Sequence, residues 1–159
     1  MSEAMLIFSD THGFIDAMRQ VILSAHGVDR LIHLGDYAQD AAELEKQVGR
    51  RILSVRGNND FGSDVPKERI FTWAGYQFLM VHGHYHGVDF GPRRLAAYAR
   101  EHGADVALFG HTHRYFAEKV DHVYCINPGS PSFPRGDRKP SYAILMVEEG
   151  TIRVKRVFL

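Results

Sequence analysis

The pattern that most constrains this chain lies in its first 55 residues. Three short apolar runs, "AMLIF", "RLIHL" and "RILSV", are separated by "FIDAMRQVILSAHG" and "QDAAELEKQVG", in which apolar residues recur at helical intervals. That alternation predicts β-α-β-α-β, and its crossovers give a right-handed parallel sheet. Past residue 68, "ERIFTWAGYQFLMVHG" predicts two strands about a turn at Gly75, "GPRRLAAYAREHG" a helix with Pro92 in its first turn, and "DVALFG" a buried strand. "YFAEKV", "HVYCIN", "SYAILMVEE" and "TIRVKRVF" read as further strands, the last two joined at Gly150. No linker separates the two halves, so one domain over residues 1–159 is the expected organisation.

Charge narrows the partners. Nineteen basic residues balance nineteen acidic ones, so no overall field gathers nucleic acid or an anionic membrane, and an anionic ligand needs a local site. The sequence has no signal-like start and no apolar run of membrane-spanning length, which makes the cytoplasm the expected location. Cys125 is the single cysteine, so an internal disulfide and a thiolate-rich zinc site are excluded; in "HVYCIN" it reads as a small core residue. Histidine is the anomaly, with ten in the chain and five of them in "HGHYHG" and "GHTH".

Polar residues close the strands. The ends read "SDTHG", "LGDY", "RGNND", "VHGH" and "GHTH", and in open α/β sheets such carboxyl ends converge on one ligand-binding edge. Asp10 with His12, and His111 with His113, are spaced i, i+2, which in an extended segment turns both side chains to one side. Carboxylate, imidazole and amide donors without sulfur suit manganese, iron, zinc or a similar divalent ion. The proline-rich loop "NPGSPSFPRGDRKP" adds Arg135, a side chain that could reach a phosphate. His26, His33, His102 and His122 read as packing or surface residues, and Trp73 as a core residue or interface anchor.

The ordered set "DTH...GD...GNND...HGH...GHTH" resembles the calcineurin-like metallophosphoesterase superfamily from residue 5 to about residue 148. It is most similar to the small single-domain bacterial and archaeal phosphodiesterase branch, to which "INPGSPSFPRG" and "PSYAIL" also correspond. The resemblance implies an α/β protein, a four-layer αββα sandwich of two mixed sheets flanked by helices, with a metal site at the strand ends. Two divalent ions per chain are implied. One would be held by Asp10, His12, Asp36 and His113, the other by Asp36, Asn58, His82 and His111, with Asp36 bridging. Manganese is the first expectation, and nickel, zinc, iron, cobalt or magnesium suit the same donors.

The implied reaction is hydrolysis of a small phosphodiester or phosphate-ester substrate by a metal-bridging hydroxide, with Asn58, Asn59, Asp60 and His84 as catalytic residues. Larger relatives carry histidine where "GNND" has Asn59, and an amide cannot deliver a proton at neutral pH. Leaving groups of low pKa, such as aryl esters, are therefore expected to react best, unless His84 or, second to it, His86 supplies the proton; both lie on the side of His82 if "HGHYH" is extended. The alternative is a protein-binding scaffold, because the retromer sorting subunit resembles the same fold; a homo-oligomer is compatible with either reading.

Overall fold

The structure is a computed structural model that describes residues 2–159. The chain runs β1 (Ser2–Phe8), α1 (Asp16–Ser24), β2 (Arg30–His33), α2 (Ala38–Val48), β3 (Leu53–Ser54), β4 (Glu68–Trp73), β5 (Tyr76–Val81), α3 (Arg93–Glu101), β6 (Val106–Leu108), β7 (Tyr115–Val120), β8 (Val123–Pro128), β9 (Ser141–Glu148) and β10 (Thr151–Phe158).

Alternation along the strands decides the layering. In β1, Met5 and Ile7 face one way and Leu6 and Phe8 the other, and all four are buried, so the strand is packed on both faces. Phe78 and Met80 of β5 likewise oppose Leu79 and Val81. Met5, Ile7, Phe78 and Met80 join Ile32, Val106, Leu108, Ile126 and Leu145 in a core between two sheets. Leu6 and Phe8 pack outward on Met18, Ile22 and Leu44 of α1 and α2, while Leu79 and Val81 pack on Leu95, Ala96 and Ala99 of α3. The protein is thus a four-layer α/β sandwich, as the resemblance implies.

Both sheets are five-stranded and mixed, in the orders β10-β9-β1-β2-β3 and β4-β5-β6-β8-β7. The parallel β1-β2-β3 set matches the expected crossover pattern. Its extension by β9 and β10 was not legible in the sequence: β9 returns to pair antiparallel with β1, with Ser2 opposite Glu148. β3 keeps only two residues of "RILSV" and pairs with β2 alone at the edge of its sheet. The consequence for function is geometric. β1, β2 and β3 in one sheet and β5, β6 and β8 in the other end on a shared edge, where the loops cross-brace: Asp10 N–H donates to Gly35 O at 3.0 Å, and Gly110 N–H donates to His82 O at 2.9 Å. Among the described residues, no helix is long and apolar enough to cross a membrane.

Candidate metal centre

Each ligand candidate sits just past a strand end, and the backbone there is unusual. Asp10, His12, Asp36, His111 and His113 all have left-handed φ, between 46° and 71°. That conformation costs a non-glycine residue on the order of 1 kcal/mol or more and persists only where the surroundings over-determine it. Here they do. Ser130 Oγ donates to Asp10 O at 2.8 Å, Ser132 Oγ to Thr11 O at 2.8 Å, and Asn127 Nδ2 to Gly110 O at 3.0 Å. The expectation of extended Asp10–His12 and His111–His113 segments is therefore corrected: these are tight turns, which bring Asp10, His12 and His113 to one cluster while His111 turns to Asn58 and Asp89.

One donor atom from each of Asp10, His12, Asp36 and His113 lies within 4.8 Å of the others. His82 joins them from the second sheet, its Nε2 3.4 Å from Asp36 Oδ1 and 3.7 Å from Asp10 Oδ1. Two of the imidazoles are locked in the same way. His82 Nδ1 donates to Leu34 O and His113 Nδ1 to Phe133 O, both at 2.7 Å, which leaves each Nε2 facing the carboxylates. Asp10 Oδ1, His12 Nε2 and His82 Nε2 are buried atoms without a hydrogen-bond partner. Buried polar atoms are rarely left so, and divalent cations held among these side chains would satisfy them. The donor set fits a metal.

Electrostatics agree. Burial raises the Asp10 carboxyl, but the His113 imidazole 3.3 Å away and the charge of His82 outweigh it and hold it below the usual range. Burial acts likewise on Asp36, where the adjacent His82 imidazole and the bonds from Asn59 prevail and the carboxyl is far below its ordinary value. Burial lowers His82 and His113, yet the two carboxylates carry both imidazoles above their ordinary value. A cation arriving at the centre replaces those protons.

The remaining expected residues are distributed around this core. Asn58 Oδ1 lies 3.0 Å from His111 Nδ1, and His111 Nε2 is 2.9 Å from Asp89 Oδ2, so both ring nitrogens of His111 are engaged. Asn59 is turned inward: its N–H donates to Asp36 Oδ1 at 3.0 Å and its Nδ2 to Asp36 Oδ2 at 2.7 Å. Asp60 accepts from the N–H groups of Gly57, Asp36 and Ala38 at 2.6, 3.0 and 2.7 Å, tying its loop to the start of α2. His84 to His86 form a 3-10 turn after Gly83, so the extended-strand placement is corrected. His84 nonetheless stays beside His82, ring centroids 5.5 Å apart, whereas His86 packs on Tyr98 of α3 at 4.6 Å. Burial and the neighbouring His82 and His111 push the His84 imidazole down to about 4.

Sequence reasoning missed a supporting tier. Thr11 Oγ1 donates to Asp40 Oδ2 at 2.6 Å and lies 3.0 Å from His33 Nε2, and the same Asp40 oxygen accepts from Gly13 N–H at 2.8 Å. Ser9 Oγ donates to Asp10 Oδ2 at 2.7 Å. Serines and threonines near a turn carry no distinguishing local signal. Asp89 had one, a carboxylate seven residues beyond His82 in "HGHYHGVD", but it lies within a second 3-10 turn, Val88–Phe90, rather than after a strand.

Residues 4–150 match the calcineurin-like phosphoesterase superfamily domain. The chain is 37% identical over 155 residues to the probable metallophosphoesterase YsnB of Bacillus subtilis, covering 95% of this chain and 88% of that one. It is 31% identical over 166 residues to phosphodiesterase YfcE of Escherichia coli K12, covering 89% and 86%. Among solved structures, a conserved predicted phosphoesterase from Streptococcus pneumoniae superposes with a TM-score of 0.86 at 27% identity, over 99% of this chain and 90% of that one. The zinc complex of wild-type Vps29 from Entamoeba histolytica shares the fold, with a TM-score of 0.76 at 20% identity over 98% of each chain.

Proposed function

The chain belongs to the calcineurin-like phosphoesterase superfamily, and from that premise we propose that it is a phosphodiesterase dependent on two divalent metal ions. The observation that carries this reading is that Asp10 Oδ1, His12 Nε2 and His82 Nε2 are buried and unpartnered around Asp36, His12 Nε2 3.6 Å from its Oδ2 and His82 Nε2 3.4 Å from its Oδ1 and 3.7 Å from Asp10 Oδ1. Asp10, His12, Asp36 and His113 would hold one ion. Asp36, Asn58, His82 and His111 would hold the second, His111 exchanging its present contacts for the metal. Such ions supply Lewis-acid charge for the phosphoryl oxygens and lower the pKa of a shared water, so that a nucleophile exists at neutral pH. Manganese is the metal we expect first.

The chain's own residues do the positioning. Leu34 O and Phe133 O fix the Nδ1–H tautomers of His82 and His113, and the Asn59 amide holds both oxygens of Asp36 in place. Neither candidate acid carries a ready proton: Asn59 is an amide, and His84, pushed down to about 4, is neutral at pH 7. Departing groups must therefore leave with little protonation, which favours low-pKa leaving groups such as aryl alkoxides. The scaffold reading rests on fold likeness alone, and the full donor set supports the enzyme instead.

The test is hydrolysis of bis(4-nitrophenyl) phosphate by chelator-stripped protein with manganese, nickel, zinc or magnesium restored, alongside Asp36→Ala. Turnover that requires metal and disappears in the variant is expected; no turnover with any metal would overturn the proposal. His84→Ala is expected to slow aryl and alkyl diesters alike, and a loss confined to alkyl diesters would reinstate His84 as the acid.

A further inference from the structure

We propose that the cavity beside the metal centre, walled by Phe14, Tyr37 and Phe133 and edged by Arg135, is a specificity subsite for a planar aromatic substituent of the phosphoester. The inference rests on the phosphoesterase reading in one respect: the phosphoryl group is anchored at the neighbouring centre. The cavity measures about 610 Å³, within the range of small-molecule sites, and His12 and His113 belong to both its lining and the metal cluster. A substituent on a phosphoryl group held at the centre therefore enters it directly.

The walls are rings with open faces. Phe133 meets His12 edge-on, centroids 5.6 Å apart at 86°, and Phe14 at 5.4 Å and 72°. Tyr37 lies beside His12 at 5.2 Å, tilted by 55°. Edge-on bracing fixes these rings without covering them, and Phe14 and Phe133 remain 63% and 47% exposed. Two large apolar rings left in water beside a polar centre mark a contact surface rather than a packing leftover. Stacking on a flat π-system is what such faces offer. The charge pattern selects further. No carboxylate lines the cavity, and its one permanently charged side chain is Arg135, whose backbone N–H is fixed to His113 O at 2.9 Å. A cationic head group would meet like charge there, whereas an uncharged ring, of the kind a nucleobase or an aryl group supplies, meets none.

Calorimetric titration of the manganese-loaded full chain with adenosine 5′-monophosphate, phenyl phosphate, methyl phosphate and phosphocholine tests this. The two aromatic esters are expected to bind about tenfold or more tighter than methyl phosphate, the scale of base stacking on an aromatic side chain, and phosphocholine no tighter than methyl phosphate. Phe133→Trp is expected to keep the ratio, while Phe133→Leu and Phe14→Leu, which retain apolar bulk without a ring, reduce it severalfold. Adenosine monophosphate binding tighter than phenyl phosphate assigns the ring to a nucleotide; equal binding assigns it to aryl groups in general, and both support the subsite. Equal affinity for aromatic and methyl esters, ratios intact in both leucine variants, or tightest binding of phosphocholine would overturn it. Binding is read independently of turnover, so absent hydrolysis sinks the phosphodiesterase reading while these ratios still decide the subsite. Hydrolysis with flat ratios sinks the subsite alone, and no binding of any ester sinks both.

Discussion

Replacing His33 separates a buried neutral imidazole from the carboxylates around it by pH alone. The ring is fully buried; Gly35 N–H donates to its Nδ1 at 3.1 Å, which leaves the proton on Nε2, 3.0 Å from Thr11 Oγ1. Burial pushes its pKa from 6.5 down to about 4, against the opposing pull of Asp10, Asp40 and Asp60. Between pH 6.5 and 4 the unfolded chain thus binds one proton more than the native chain. Stability is fully present above pH 6.5 and falls as pH falls, by about 1.4 kcal/mol per unit and about 3 kcal/mol in all. In His33→Asn the amide oxygen can still accept from Gly35 N–H, and the packing lost against Phe8 costs the same at every pH. Urea denaturation of the chelated proteins from pH 7.5 to 4.5 is the assay. The wild type's advantage over the variant is expected to shrink by about 2 to 3 kcal/mol across that range. A difference that stays flat or grows would refute the assignment.

Three further outcomes follow from named contacts. A Cβ at Gly57 would collide with Asp36, overlapping Oδ1 and lying 2.7 Å from its N and 3.0 Å from its Cγ, so Gly57→Ala is expected to weaken manganese uptake about tenfold or more in calorimetric titration; unchanged uptake contradicts this. Asp60→Ala strips three backbone N–H groups of their acceptor and is expected to cost about 2 to 4 kcal/mol in denaturant unfolding, where a change below about 0.5 kcal/mol would remove Asp60 from its structural role. Cys125 is fully buried and burial pushes its thiol up to about 12, so a thiol reagent at pH 8 is expected to label the unfolded chain only, and labelling of the native chain on mixing would show that β8 opens readily.

What could be read from the sequence was local. A carboxylate or imidazole immediately after a short apolar run is visible as such, which is why Asp10, Asp36, His82 and the His111–His113 pair stood out. Their backbone conformation was not: the rule that i and i+2 share a side holds for extended chain, and left-handed φ at Asp10, His12, His111 and His113 replaces it. The 3-10 turn that separates His84 from His86 is hidden for the same reason. Long-range partners leave even less trace. Nothing in "SYAILMVEE" announces that β9 crosses back to β1, and nothing in Thr11, Asp40 or Ser130 announces that they hold the ligand turns from residues 22 to 120 positions away. The aromatic walls at Phe14 and Phe133 meet only because two loops more than a hundred residues apart arrive at the same strand edge.

The most direct measurement is anomalous diffraction from crystals of the manganese-loaded protein. Two manganese peaks per chain are expected to flank Asp36, one against Asp10, His12 and His113 and the other against Asn58, His82 and His111. A single peak, or none at this edge, would contradict the dinuclear centre on which the proposed function depends.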